Sequence, residues 1–185
     1  TANNNSVNLT GTALATLTVT GSEKIDVTAN ASKVLATADF SGVSAEEVSF
    51  SGSASEVAMT YKTASATDTT ALTTGKGADT ITLGAKDDTV TNSGDGADTI
   101  TAGAGNDLIS QTGKGADSID LGDGDDTMSD SGAGNDTITG GAGNDNVANA
   151  GADNDTITLG DGDDTGVGGA GNDTIDGGVG NGNLQ

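Results

Sequence analysis

Apolar residues recur along residues 75–185 at a fixed distance from an aspartate. The repeated phrase is glycine, any residue, glycine, a small polar residue, aspartate, threonine or serine, and an aliphatic residue; its first copy is residues 75–81. The residue two after the aspartate is aliphatic or methionine in eleven of twelve copies. Alternation along a strand places that column inside the protein. Each copy therefore predicts a glycine turn followed by a strand of about three to five residues.

The spacing of the aspartates defines the structural unit. The steps from one aspartate to the next alternate between nine and ten until the last two, which are both nine. An alternating step makes the repeat unit two copies of the phrase, and a fixed period with one carboxylate per copy predicts a solenoid built around an ion. Aspartates one turn apart then form two columns. The first column contains Asp79, Asp98, Asp117, Asp136, Asp155 and Asp173. The second column contains Asp88, Asp107, Asp126, Asp145 and Asp164, with Gly182 in the sixth place.

The two kinds of step differ in the residue four after the aspartate. Within the shorter step that residue is Leu83, Ala102, Leu121, Gly140 or Leu159. Within the longer step it is Asn92, Gln111, Asp130 or Asn149. Strand alternation turns this position inward as well. The asymmetry predicts two unlike sheets, one drier than the other.

Residues 1–74 lack the aspartate phrase. Apolar residues alternate with polar ones in short runs around Leu17, Ile25, Val48 and Val57, which is typical of half-buried strands. We interpret residues 1–74 as an irregular β-rich segment for capping or assembly, built either as irregular solenoid turns or as a small sandwich. Residues 63–74 are a linker or one more degenerate strand.

Charge and composition exclude several functions. Residues 1–74 carry seven acids and three lysines, and residues 75–185 carry 21 acids and three lysines, so net charges of −4 and −18 sum to −22. Such a chain cannot neutralise phosphates, and we expect no nucleic-acid partner. No apolar run approaches the roughly 20 residues of a membrane span, so we expect no direct membrane insertion. Because histidine and cysteine are absent, we expect neither a zinc site nor an enzyme.

The repeats of residues 75–185 resemble the RTX nonapeptide family, whose phrase is Gly-Gly-x-Gly-x-Asp-x-aliphatic-x. The resemblance implies an all-β fold, a right-handed parallel β-roll with two short strands per turn, and calcium held in the glycine loops. RTX proteins include secreted toxins, proteases, lipases, adhesins and surface-layer proteins. The threonine- and alanine-rich first part is most similar to the bacterial surface-layer group.

The stacked carboxylates give an independent reason to expect Ca²⁺. Residues one turn apart lie about 4.8 Å apart, and two carboxylates at that distance repel unless a cation lies between them. Calcium accepts six to eight oxygens in a tolerant geometry, whereas magnesium demands a tighter octahedron. Successive pairs in the two columns would hold up to about nine ions. Besides the eleven aspartates, the predicted metal loops contain Gly75, Gly77, Gly84, Gly94, Gly96, Gly103, Gly105, Gly113, Gly115, Gly122, Gly124, Gly132, Gly134, Gly141, Gly143, Gly151, Gly160, Gly162, Gly169 and Gly171.

Three positions depart from the phrase. Lys86 replaces a loop glycine and brings a positive charge, so we expect the Asp88 end to bind calcium poorly. Asp153 replaces the equivalent glycine elsewhere, and aspartate tolerates left-handed backbone. Near Gly166 the step is one residue short, and we expect a local break in register there.

These observations predict a secreted calcium-binding structural protein. Its β-roll would fold on Ca²⁺ and self-associate into a surface layer or an extracellular fibre, at the bacterial cell surface or outside it. The alternative is a calcium-folded RTX module of a larger adhesin, toxin or secreted enzyme. Because the sequence has neither an initiator methionine nor a secretion signal, we expect a processed product or a piece of a longer chain.

Overall fold

The described part of the chain is built from short strands. The computed structural model describes residues 5–10, 13–29, 32–44, 47–63, 68–92, 94–130, 132–149 and 151–185. These residues contain no helix, and therefore no helix that could cross a membrane. Their strands are β1 (Asn5–Asn8), β2 (Thr16–Gly21), β3 (Ile25–Thr28), β4 (Thr37–Val43), β5 (Glu47–Ser51), β6 (Thr60–Thr63), β7 (Asp68–Thr73), β8 (Thr80–Thr82), β9 (Thr89–Asn92), β10 (Thr99–Ala104), β11 (Leu108–Gln111), β12 (Ser118–Asp123), β13 (Thr127–Asp130), β14 (Thr137–Ala142), β15 (Asn146–Asn149), β16 (Thr156–Asp161), β17 (Thr165–Val167), β18 (Thr174–Asp176) and β19 (Asn183–Leu184).

The strands form two parallel sheets. The odd-numbered strands make a ten-stranded sheet in chain order, and the even-numbered strands make a nine-stranded sheet. Because successive strands alternate between the sheets, each turn of the chain contributes one strand to each. The result is a β-solenoid of about nine turns, which confirms the predicted all-β parallel architecture.

The sequence period sets the register of the repeats. Ile100 pairs with Ile81 on one side and with Ile119 on the other, so partners lie one repeat unit apart. The expected break in register does not occur, because Gly166 pairs with Val147 and with Leu184. A methyl group on Gly166 would lie 2.9 Å from Leu159 Cδ1, so neighbouring side chains already fill its place in the core. The shortened step is taken up by the loop.

The predicted inward columns form the core. Ile100, Ile119 and Ile138 of one sheet and Ile109 and Val147 of the other are at most 1% exposed. They belong to one hydrophobic cluster that continues into the N-terminal strands. Parallel pairing stacks equivalent positions on one another, so each inward column forms a continuous row through successive turns.

The N-terminal strands continue the same two sheets as irregular solenoid turns. Strand β6 pairs with β8, and β7 pairs with both β5 and β9, so part of the predicted linker is a strand, while residues 64–67 fall outside the described residues. Turns are longer here than in the repeats, as the pairing of Ile25 with Val48 shows. Phe40, Phe50 and Tyr61 fill the wider interior, with ring centroids 5.4–5.7 Å apart.

The N-terminal turns pair acidic side chains with lysines of a neighbouring turn. Lys24 forms an ion pair with Glu47, and Lys33 Nζ lies 2.6 Å from Glu56 Oε1. The two partners of each pair are one turn of this segment apart. Both contacts therefore join successive turns by charge in the part of the solenoid that lacks the aspartate columns.

Candidate metal centre

The structure brings the eleven predicted aspartates together in two columns. Each aspartate immediately precedes a strand: first-column members precede even strands, and second-column members precede odd strands. Parallel pairing of those strands stacks the aspartates one turn apart. Ten of the eleven are at most 4% exposed, and Asp173 in the last turns is half-buried.

Backbone hydrogen bonds fix the orientation of each carboxylate. The N–H of each aspartate that has a successor in its column donates to Oδ1 of that successor, over 2.7–3.0 Å. Asp98 N–H, for example, donates to Asp117 Oδ1. A carboxylate has two oxygens, so this ladder leaves Oδ2 of every member for another partner.

The second column leaves most of its Oδ2 atoms buried without a donor. Oδ2 of Asp107, Asp126, Asp145 and Asp164 accepts no hydrogen bond from any residue that the structure describes. The neighbouring inward residues are the apolar column that includes Leu121 and Leu159. Buried polar atoms without a partner are rare, and an ion is one of the standard explanations. Carboxylate oxygens are ligands suited to calcium.

An exposed row of residues lies beside the second column, each member immediately before an aspartate of that column or, in the last turn, before Gly182. In this row an acidic residue alternates with a neutral one: Asp87, Asn106, Asp125, Asn144, Asp163 and Asn181. Each backbone N–H donates to the side-chain oxygen one turn earlier, as Asn106 does to Asp87 over 2.8 Å. Alternation avoids facing like charges, which are unfavourable across strands. The buried second column, by contrast, has aspartate at every one of its first five positions, which favours a cation between them.

The first column has partners that the sequence did not predict. The inward residues within the longer steps form an interior polar row, and they pair in register: Asn92, Gln111, Asp130 and Asn149. Asn92 Nδ2 donates to Asp98 Oδ2 over 2.7 Å, and Gln111 Nε2 donates to Asp117 Oδ2 over 2.6 Å. Asn149 repeats the contact with the first-column aspartate that follows it. The sequence predicted that these polar residues turn inward. It did not predict that they donate hydrogen bonds to the aspartates of the first column, which only the fold shows.

The loop glycines are required by close approach between turns. A methyl group on Gly115 would overlap the carbonyl oxygen of Gly96, and the same overlap recurs along both edges. On the second edge both loop glycines also have positive φ, as in Gly122 (104°) and Gly124 (143°). Asp153 adopts φ 95°, as expected for the aspartate that replaces a glycine. At these glycines a side chain would meet the backbone of the neighbouring turn, and its absence lets successive turns lie close together.

Burial raises the pKa of several column aspartates. The pKa of Asp107 and of Asp136 rises to about 7, and that of Asp79 and of Asp145 to about 6. Loss of hydration is the main cause, and neighbouring carboxylates add to it, while the backbone N–H donors act in the opposite direction. The native columns therefore hold protons that the unfolded chain, with aspartate pKa values near about 3.9, has lost.

We expect calcium-free protein to lose stability as pH rises from about 4 to about 7. A raised carboxylate pKa means that the native state binds more protons in this window, so stability is present below the unfolded pKa and is lost as pH rises through the folded pKa. Circular dichroism in chelator, recorded as a function of pH, measures the trend as the fraction of the protein that keeps its β structure. A β content that rises with pH in chelator would contradict it.

Fold and site together define a parallel β-solenoid with two edges of stacked, buried carboxylates. Four segments of the chain match the RTX calcium-binding nonapeptide repeat, at residues 73–109, 109–129, 130–157 and 145–175. Together they span residues 73 to 175, more than half of the chain. The chain belongs to the RTX calcium-binding repeat family, and its repeats form a calcium-binding β-roll. Searches of curated proteins and of solved structures gave no match.

Proposed function

We propose that this chain is a secreted structural protein whose β-roll folds on calcium and then self-associates into a layer or fibre. Folding on calcium is supported by the second column, where the buried Oδ2 atoms of four aspartates have no hydrogen-bond donor among the described residues. Calcium bound there would neutralise charge inside the fold, so metal binding would supply folding free energy. Extracellular calcium modules work at about 10⁻⁴–10⁻³ M, which suits a protein that folds after export.

Electrostatics supports the second half of the proposal. The sequence has a net charge of −22, and this self-repulsion opposes association between copies. Calcium bound in the two columns would reduce that charge, so folding and assembly would depend on the same ion.

A role without catalysis fits the same chain. Histidine and cysteine are absent from the sequence, and the buried carboxylates of the repeats belong to the two columns or to the interior polar row. We therefore propose that the chain has no enzymatic activity of its own and that its partners are further copies of itself.

Assembly is tested by light scattering and electron microscopy in millimolar calcium and in chelator, over a range of protein concentrations. We expect multimers in calcium and none in chelator. Monomers alone at every concentration would favour the alternative, a folding module of a larger protein.

A further inference from the structure

The interior polar row contains one acidic residue, Asp130, among three residues with amide side chains. Asn92, Gln111 and Asn149 donate an amide N–H to a first-column aspartate, whereas Asp130 has no proton donor to offer when ionised. Asp130 is 2% exposed, and carboxylate oxygens of Asp117, Asp130 and Asp136 all lie within 4.8 Å of one another. Three buried carboxylates at this distance repel strongly unless something positive lies between them.

A backbone N–H donates to one oxygen of each carboxylate in this cluster. Oδ1 of Asp117 accepts the N–H of Asp98 at 2.7 Å, and Oδ1 of Asp136 accepts the N–H of Asp117 at 2.8 Å. Oδ1 of Asp130 accepts the N–H of Gly132 at 2.7 Å. Oδ2 of Asp130 accepts no hydrogen bond from the described residues. The backbone therefore anchors the three carboxylates and leaves the second oxygen of Asp130 unpartnered inside the roll.

Gln111, the neighbour of Asp130 on the adjacent strand, also has a buried oxygen without a donor. Gln111 is fully buried and pairs in register with Asp130, and its Nε2 donates to Asp117 Oδ2 over 2.6 Å. Its carbonyl oxygen, Oε1, accepts no hydrogen bond within the described chain. A buried amide oxygen without a donor needs the same explanation as a buried carboxylate oxygen, and a cation satisfies both.

We infer that Asp117, Asp130, Asp136 and Gln111 form an interior cation site, additional to the loops that the repeat phrase defines. Asp130 and Gln111 lie on strands β13 and β11, outside the glycine loops. The donors are all oxygens, which suits calcium rather than a metal that prefers nitrogen or sulfur. Calcium–oxygen bonds of about 2.3–2.6 Å place opposite ligands up to about 5 Å apart. Carboxylate oxygens within 4.8 Å of one another are therefore close enough to share one ion.

The variant Asp130→Asn tests the site, because it restores the amide that its row neighbours have. The roll should fold at least as well, since Asn92 and Asn149 occupy equivalent positions. The control Asp120→Asn removes the same charge from an exposed outward position on β12. Calcium ions bound per chain are counted by native mass spectrometry and by equilibrium dialysis, with calcium as the sole added divalent ion.

We expect Asp130→Asn to bind one calcium ion fewer than the wild type, and Asp120→Asn to bind the same number. Equal calcium counts for wild type and Asp130→Asn would overturn the site, and so would equal losses in both variants. The interior site rests on the proposed calcium binding, and the experiment distinguishes the failure of each. If the wild type binds no calcium, both proposals are wrong. If the wild type binds several ions and Asp130→Asn binds the same number, only the interior site is wrong.

Discussion

In excess chelator, we expect residues 75–185 to lose their β structure and to regain it when calcium returns to millimolar concentration. The reason is electrostatic, because both edges stack aspartates that are almost fully buried, and this segment has 21 acids against three lysines. Each site filled at about 100 times its dissociation constant adds about 2.7 kcal/mol to the stability of the native state. A few such sites equal the total stability of a typical domain, which is about 5–15 kcal/mol.

Far-ultraviolet circular dichroism measures this loss of β structure. The fluorescence of Tyr61 reports separately on the N-terminal turns. Tyr61 is the single tyrosine, tryptophan is absent, and the ring is fully buried against Phe40 and Phe50 in the turns without the metal phrase. Chelation should therefore change the circular dichroism more than the tyrosine fluorescence. Magnesium at the same concentration should restore little structure, because it keeps its waters and demands a strict octahedron. Identical spectra in chelator and in calcium would show that the ions do not drive folding.

The repeats could be predicted from the sequence because local pattern and tertiary contact coincide in them. When each turn has the same length, a residue and its neighbour in the next turn occupy equivalent positions one repeat unit apart. The column that contains Ile100 and Ile119 can therefore be predicted directly from the sequence. The N-terminal turns have no such constraint. Alternation predicts a strand around Val57, but this residue is 37% exposed and lies before β6, because turns of unequal length hide the partner of each strand.

The chemistry of the first column could not be predicted for a different reason. Asn92 and Asp98 lie on either side of a loop, and their contact depends on where the loop returns the chain. The sequence indicated only that polar residues turn inward within the longer step. The sequence shows that an aspartate, Asp130, takes the place of an amide residue in this row. The electrostatic repulsion that it causes is apparent only in the structure, which places Asp117 and Asp136 beside it.

The substitution Gly143→Ala should destabilise the calcium-loaded roll by about 2 to 6 kcal/mol, the sum of a backbone and a packing cost. Gly143 has φ 135°, a conformation that costs a residue with a side chain about 1–3 kcal/mol. The added methyl group would also overlap the carbonyl oxygen of Gly124 in the preceding turn, and overpacking of this kind typically costs about 1–3 kcal/mol more. Relief requires the two turns to separate.

Separation of the turns would also disturb the second column, because the N–H of Asp126 donates to Oδ1 of Asp145 between these same turns, over 3.0 Å. Gly143→Ala should therefore need more calcium to fold, as well as less heat to unfold. The control Ala142→Ser adds one atom at the neighbouring exposed position, where there is room for it, and should leave both quantities unchanged. Calcium titrations and thermal melts of the two variants measure the difference. If Gly143→Ala behaves like Ala142→Ser, then the loops are looser than these contacts imply, and glycine is needed there for something other than the close stacking of turns.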